Sequence, residues 1–176
     1  MKTTGIKGLL RDEDGACASG FVGNVAYADT TLTELRAIVK AMEWSWRRGV
    51  RNLEIQSDAR EAISWIREKA NLQGVARELV HDAIRWCDKD WNIFLRAIFC
   101  EQNRSGDALA MIGTILTAEW MVFASCPPEC EEVYANDLVQ LCRFVELERP
   151  ASRSCRPSTP LEEAVLSGMI RQKIFV

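Results

Sequence analysis

Apolar and polar positions along the chain fall into short runs with two periods, and these divide it into extended and helical segments. Ile6 to Arg11 reads as a short strand, and Cys17 to Val22 as its returning partner. Between them Asp12-Glu13-Asp14-Gly15 is turn chemistry: Gly15 tolerates positive φ and the carboxylates solvate the bend. Leu35, Ile38, Val39, Met42 and Trp46 recur at helical spacing, so a helix is expected from Thr30 or Thr31 to about Arg48, stopped by Gly49. Glu34 stands three residues after Thr31, the spacing of a capping box. Val50 to Ser57 alternates as a strand, with Asp58 just past its end. Helices are expected over Ala59 to Glu68 and Val75 to Cys87, separated by Asn71 to Gly74. Trp91 to Phe99 alternates again as a strand, and Asn103 can cap a helix through Ala108, Met111, Ile112 and Ile115.

The order β-β-α-β-α-α-β-α predicts an α/β domain: an antiparallel hairpin joined by helical crossovers to further strands of a mixed sheet. Beyond Ala124 the character changes. Pro127-Pro128 leads into an expected helix over Val133 to Glu146. Residues 149 to 160 are rich in Pro, Ser and Arg and read as a linker, and Leu161 to Val176 reads as a last helix. The division is therefore a domain over residues 1–125 and a helical or flexible C-terminal tail over 126–176.

Composition narrows the function classes. The chain has 176 residues, 48% of them hydrophobic, enough for one domain with a real core. Its formal net charge is −3 and no basic block stands out, which argues against a tight, non-specific DNA binder. No apolar run reaches the length of a membrane span, and the opening Met-Lys-Thr-Thr-Gly has no apolar signal region. An intracellular location, nucleus or cytoplasm, is expected, as is a monomer. The seven cysteines are irregularly spaced and read as small buried hydrophobes of a reducing compartment. Cys126 and Cys130 lack a second ligand pair for zinc, since the lone His81 is far off in sequence. The six tryptophans, among them Trp44, Trp46, Trp65 and Trp86, fall at core spacing and read as packing.

Three carboxylates stand at element ends. Glu34 begins a helix, Asp58 closes a strand, and Asp107 lies in the first turns of the helix after Asn103-Arg104-Ser105-Gly106. A strand end and two helix starts can converge at one edge of an α/β sheet, where gathered carboxylate oxygens suit Mg²⁺ or Mn²⁺. Each also has a plainer role: Glu34 in a capping box, Asp58 capping the helix at Ala59, and Asp107 as a first-turn acid favoured by the helix dipole.

At these same residues the sequence resembles a known family. Gly8-Leu9-Leu10-Arg11-Asp12-Glu13-Asp14-Gly15 resembles the hairpin of plant ribonuclease H-like domains of the retroelement-related type. Thr33-Glu34-Leu35-Arg36-Ala37 resembles their helix start, and Glu54-Ile55-Gln56-Ser57-Asp58-Ala59 their strand end. Asn103-Arg104-Ser105-Gly106-Asp107-Ala108-Leu109-Ala110 resembles the most specific of their motifs. Order and spacing agree over residues 5 to about 113. The resemblance implies a ribonuclease H-like mixed sheet flanked by helices. It also implies endonucleolytic hydrolysis of the RNA strand of RNA–DNA hybrids, with divalent metal held by four carboxylates. Glu34, Asp58 and Asp107 match the second, third and fourth. Asn24, Asn103 and Arg104 are the candidate phosphate or sugar contacts, with turn and cap roles as their plainer reading.

The family's first carboxylate lies in an Asp-Gly step on an opening strand at the centre of the sheet. Here only Met1-Lys2-Thr3-Thr4 precede Gly5, and no Asp precedes Asp12. On the resemblance the chain is N-terminally truncated, with the first central strand missing. Three arrangements are compatible with this: a fragment, a degenerate copy without activity, or another segment, such as Lys173 to Val176, filling the gap. Some relatives carry a His before the last helix. Phe99-Cys100-Glu101-Gln102-Asn103 has none, leaving Glu101 as a candidate helper. The expected function is a metal-dependent hybrid ribonuclease, weak or lost. The alternative is a non-catalytic nucleic-acid or protein interaction module derived from a retroelement.

Overall fold

The structure is a computed structural model that describes residues 3–11, 17–26, 28–99, 120–125 and 172–176. The hairpin is longer than its apolar alternation suggests. Strand β1 runs Thr3–Arg11 and β2 Cys17–Ala26, paired from Thr3↔Ala26 to Leu10↔Ser19, with an irregularity before Arg11↔Cys17. β-Branched Thr3, Thr4 and Val25 extend the ladder where sequence periodicity gives no signal. At Gly8 a Cβ would stand 2.3 Å from the Phe21 ring on the opposing strand, so only glycine lets that ring lie across β1.

Helix α1 spans Thr30–Arg47 and buries Leu35, Ile38, Ala41 and Met42 on one stripe, the face that its periodicity predicts. Gly49, at φ 81, ends it, with its N–H bonded to the Trp46 carbonyl at 3.0 Å. Strand β3 (Asn52–Ser57) follows, then α2 (Arg60–Arg67), α3 (Gly74–Cys87) and β4 (Asn92–Ala97). The C-terminal ends of α1 and α3 are pinned by indoles. The Trp46 ring lies 6.4 Å from Trp86 and 5.3 Å edge-on from Trp91, whose Nε1 donates to the Trp86 carbonyl at 2.7 Å. These rings pack rather than stand exposed, as their spacing suggests.

Two further strands complete the sheet: the first gives no signal in the sequence, and the second coincides with the segment Lys173 to Val176 that could fill the gap. β5 (Trp120–Phe123) adds to β2 at the edge, and its Trp120 ring stacks on Phe21 at 4.5 Å. β6 (Gln172–Phe175) lies in the middle. The order across the six-stranded sheet is β4-β3-β6-β1-β2-β5. β6 runs antiparallel to β1 and parallel to β3, and the Val176 N–H extends the ladder to the Gln56 carbonyl at 3.0 Å.

This corrects one expectation and decides among three others. The last four residues of the expected Leu161–Val176 helix that precede Val176 are strand, because pairing on both sides offers more than a single helical turn can. Of the three arrangements compatible with the resemblance, the one in which the Lys173 to Val176 segment fills the place between the hairpin and β3 is the one observed. Ile174, fully buried, lies between Leu10 and Ile55 in the core that α1, α2 and α3 cover. The expected segments over 103–115, 133–146 and 149–160 lie outside the described residues.

The sheet's other face is also buried but more polar. Leu9, Val22 and Phe94 share it with Glu54 and Gln56. Gln56 donates to Glu54, and Arg96 reaches the same carboxylate at 3.3 Å. Across the strands Lys173 lies between Arg11 and Glu54, so a cation, a cation and an acid follow one another across β1, β6 and β3.

Candidate active site

β3, β4 and β6 run parallel and end at one edge of the sheet, the edge where α/β sheets place ligands. The two helices that start there have caps other than those expected. Asp29 is the N-cap of α1, and its Oδ1 accepts from the Leu32 N–H at 3.0 Å. Thr31 instead donates its hydroxyl to Glu61 at 3.0 Å, which ties the first turn of α1 to the first turn of α2. Glu34 is therefore not the partner in a Thr31 capping box, and that plainer reading falls away.

Asp58 is relieved of its plainer role in the same way. The N-cap of α2 is Ala59, with no side-chain capping bond. The turn out of β3 is tied by Ser57, whose Oγ accepts from the Ala59 N–H at 3.2 Å, and by the Asp58 carbonyl, which accepts from Arg60 at 2.8 Å. The half-buried Asp58 carboxylate stays out of the helix cap. The Thr31–Glu61 bond joins the turn that carries Glu34 to the turn that follows Asp58, so the fold brings both residues to the same edge.

Lys7 is the residue that sequence reasoning missed. It lies on β1 opposite Val22 and is only 3% exposed, with its Nζ 3.9 Å from Glu34 Oε1. The one available signal was a charge inside the apolar run Ile6-Lys7-Gly8-Leu9-Leu10. Asn24 is not a turn residue. It sits within β2 opposite Gly5, diagonal to Lys7 on the same face. Asp107, Asn103, Arg104 and Glu101 lie outside the described residues, as do Cys126 and Cys130. His81 is exposed on α3, in a shallow surface depression with Arg77, Glu78 and Arg85.

Among the described residues no three His, Cys, Asp or Glu side chains stand close enough to hold a metal ion. The described part of the edge offers Glu34 and Asp58, with the Lys7 ammonium beside the first. A divalent ion wants hard oxygen donors around it, and of those expected the described residues include Glu34 and Asp58, with the Lys7 charge opposing a second cation beside the first. Among the described residues no helix is long and apolar enough to cross a membrane.

Comparison with known proteins agrees with the architecture. The model of the reverse transcriptase-like family matches residues 1–113, the hairpin and the α-β-α-α-β run that builds the acidic edge. The chain belongs to the reverse transcriptase-like family, with a ribonuclease H-like domain. An Arabidopsis thaliana protein named "Putative ribonuclease H protein" is 23% identical over 130 residues, 74% of this chain. The match spans 21% of that relative's length. Within the reverse transcriptase-like domain, the matched stretch leaves β6 outside it, so the central strand of the sheet comes from a part of the chain that the family model does not cover.

Proposed function

We propose that this ribonuclease H-like domain engages RNA–DNA hybrid or other nucleic acid at the edge carrying Glu34 and Asp58, and that its hydrolysis of the RNA strand is weak or lost. The observation that carries the reading is that neither carboxylate serves the helix start beside it: Asp29 caps α1 and Ala59 begins α2. Acids released from capping, one on the first turns of α1 and one after a parallel strand, are placed for substrate or metal rather than for helix stability. In this reading Glu34, Asp58 and Asp107 are the family's metal-binding and catalytic carboxylates, for Mg²⁺ or Mn²⁺. Asn24, Asn103 and Arg104 contact the phosphates or sugars of the substrate. The relative's name, ribonuclease H, supports the same substrate class.

Two features support weak or absent cleavage. The strand that stands in the family's opening place, Gln172-Lys173-Ile174-Phe175, brings no carboxylate side chain, and Val176 follows it. The Lys7 ammonium lies beside Glu34. The second feature also favours a non-catalytic reading, in which the domain persists as a nucleic-acid or protein interaction module.

The test is a labelled RNA–DNA hybrid incubated with the full chain in Mg²⁺ and in Mn²⁺, with binding and cleavage followed together. Binding with cleavage at or near background is expected, and any residual metal-dependent cleavage should vanish in Asp58→Asn. Brisk multiple turnover that Asp58→Asn abolishes would overturn the weak-activity reading. No binding of any nucleic acid would overturn the proposal as a whole.

A further inference from the structure

We propose that the Lys7 ammonium is a built-in cation that occupies the neighbourhood of Glu34 and excludes a divalent ion from the acidic edge. The inference deepens the functional reading above and rests on Glu34 and Asp58 forming its site.

The position of Lys7 is not that of a surface lysine. Its side chain is 4% exposed, its backbone is locked in the β1–β2 ladder opposite Val22, and its ammonium stands 3.9 Å from Glu34 Oε1. The neighbouring Gly8 is held against the Phe21 ring, so β1 cannot slide away to carry the lysine elsewhere. The register with β6 explains why the edge is reached. Leu9 pairs with Phe175 near the end of the central strand, and Lys7 lies two residues further along β1, past that pairing. It therefore belongs to the same end of the sheet as the β3 terminus and Asp58.

A divalent ion bound to a Glu34 oxygen would sit roughly 2.0–2.1 Å from it for Mg²⁺, within a few ångströms of a positive group already in place. Repulsion between a double and a single charge is twice that between two single charges at the same distance, and burial weakens the screening. Either the lysine must leave a buried position or the metal must bind against it, and both lower metal affinity. One charge on the lysine also neutralises one carboxylate, which leaves the edge less attractive to cations as a whole.

The test measures Mn²⁺ affinity by calorimetry on the full chain, with no substrate present. Lys7→Met keeps the buried stem and removes the charge, and Lys7→Arg keeps the charge. Lys7→Gln is the second neutral variant should Lys7→Met fail to fold by circular dichroism. The neutral variant should bind Mn²⁺ at least about tenfold more tightly than the parent, Lys7→Arg should match the parent, and adding Asp58→Asn to the neutral variant should remove the gain. Equal affinity of parent and neutral variant, with binding that still depends on Asp58, would overturn the role of Lys7 and leave the acidic site standing. Absence of Asp58-dependent binding from every variant would overturn the site reading together with the inference. A fall in melting temperature with no change in affinity would make the Lys7–Glu34 pair purely structural and overturn the inference as well.

Discussion

Asp29 decides what Glu34 is available for. Its carboxylate satisfies the Leu32 N–H, which leaves Thr31 to reach across to Glu61 and Glu34 to face Lys7. An N-cap acid contributes about 1 kcal/mol, within roughly 0.5–2 kcal/mol. Asp29→Ala should therefore lower the unfolding free energy in urea by about 1 kcal/mol, whereas Thr31→Val, which removes an exposed bond, should cost less. A larger loss for Thr31→Val would mean that the capping assignment is wrong. At this scale the sequence was read half correctly. Glu34 and Asp58 stand out in the sequence because their motifs carry them. The capping box was misplaced because Thr30, Thr31 and Asp29 are all competent caps, and side-chain spacing alone does not choose among them. Lys7 gives no such signal, because a lysine on a hairpin strand ordinarily reads as solvated and its burial is set by tertiary packing rather than by local pattern.

The secondary elements divide by how locally they are specified. α1, α2, α3, β3 and β4 lie within a residue or two of the positions that hydrophobic periodicity assigns, since an amphipathic stripe or a strict alternation carries its own signature. β5, four residues long, gives no signal, and β6, equally short, enters only as the segment Lys173 to Val176 that could fill the gap, beside its reading as the end of a helix. Strands this short exist only through distant partners, and Gln172-Lys173-Ile174-Phe175 matches a turn of helix as well as a strand. Its register is nonetheless well determined. Ile174 must meet Leu10 and Ile55 in the core while Lys173 meets Arg11 and Glu54 on the polar face, and a one-residue slip would exchange the two. Ile174→Ala should cost about 2–5 kcal/mol, as for other fully buried aliphatic side chains. Ile174→Asp should cost more, by placing a charge between Leu10 and Ile55. Denaturant unfolding checks both. A loss under about 1 kcal/mol for Ile174→Ala would show that β6 does not complete the sheet.

The described residues form a ribonuclease H-like sheet whose central place is taken by a strand from the far end of the sequence, with Lys7 beside Glu34. A formal charge of −3, with no basic block in the sequence, predicts modest, salt-sensitive nucleic-acid binding rather than tight binding. The fold class was legible from four motifs in order, of which the one carrying Asp107 lies outside the described residues. The filling of the centre was legible only as one of three arrangements, because it depends on a pairing between opposite ends of the chain, Leu9 with Phe175 among them. The central claim, that nucleic acid meets this edge, is tested most directly by titrating ¹⁵N-labelled protein with an RNA–DNA hybrid and mapping the amide shifts. They are predicted to cluster at Lys7, Asn24, Thr31 to Glu34 and Asp58 to Glu61. Shifts confined to the outer face of α3 around His81, or spread evenly over the surface, would contradict it.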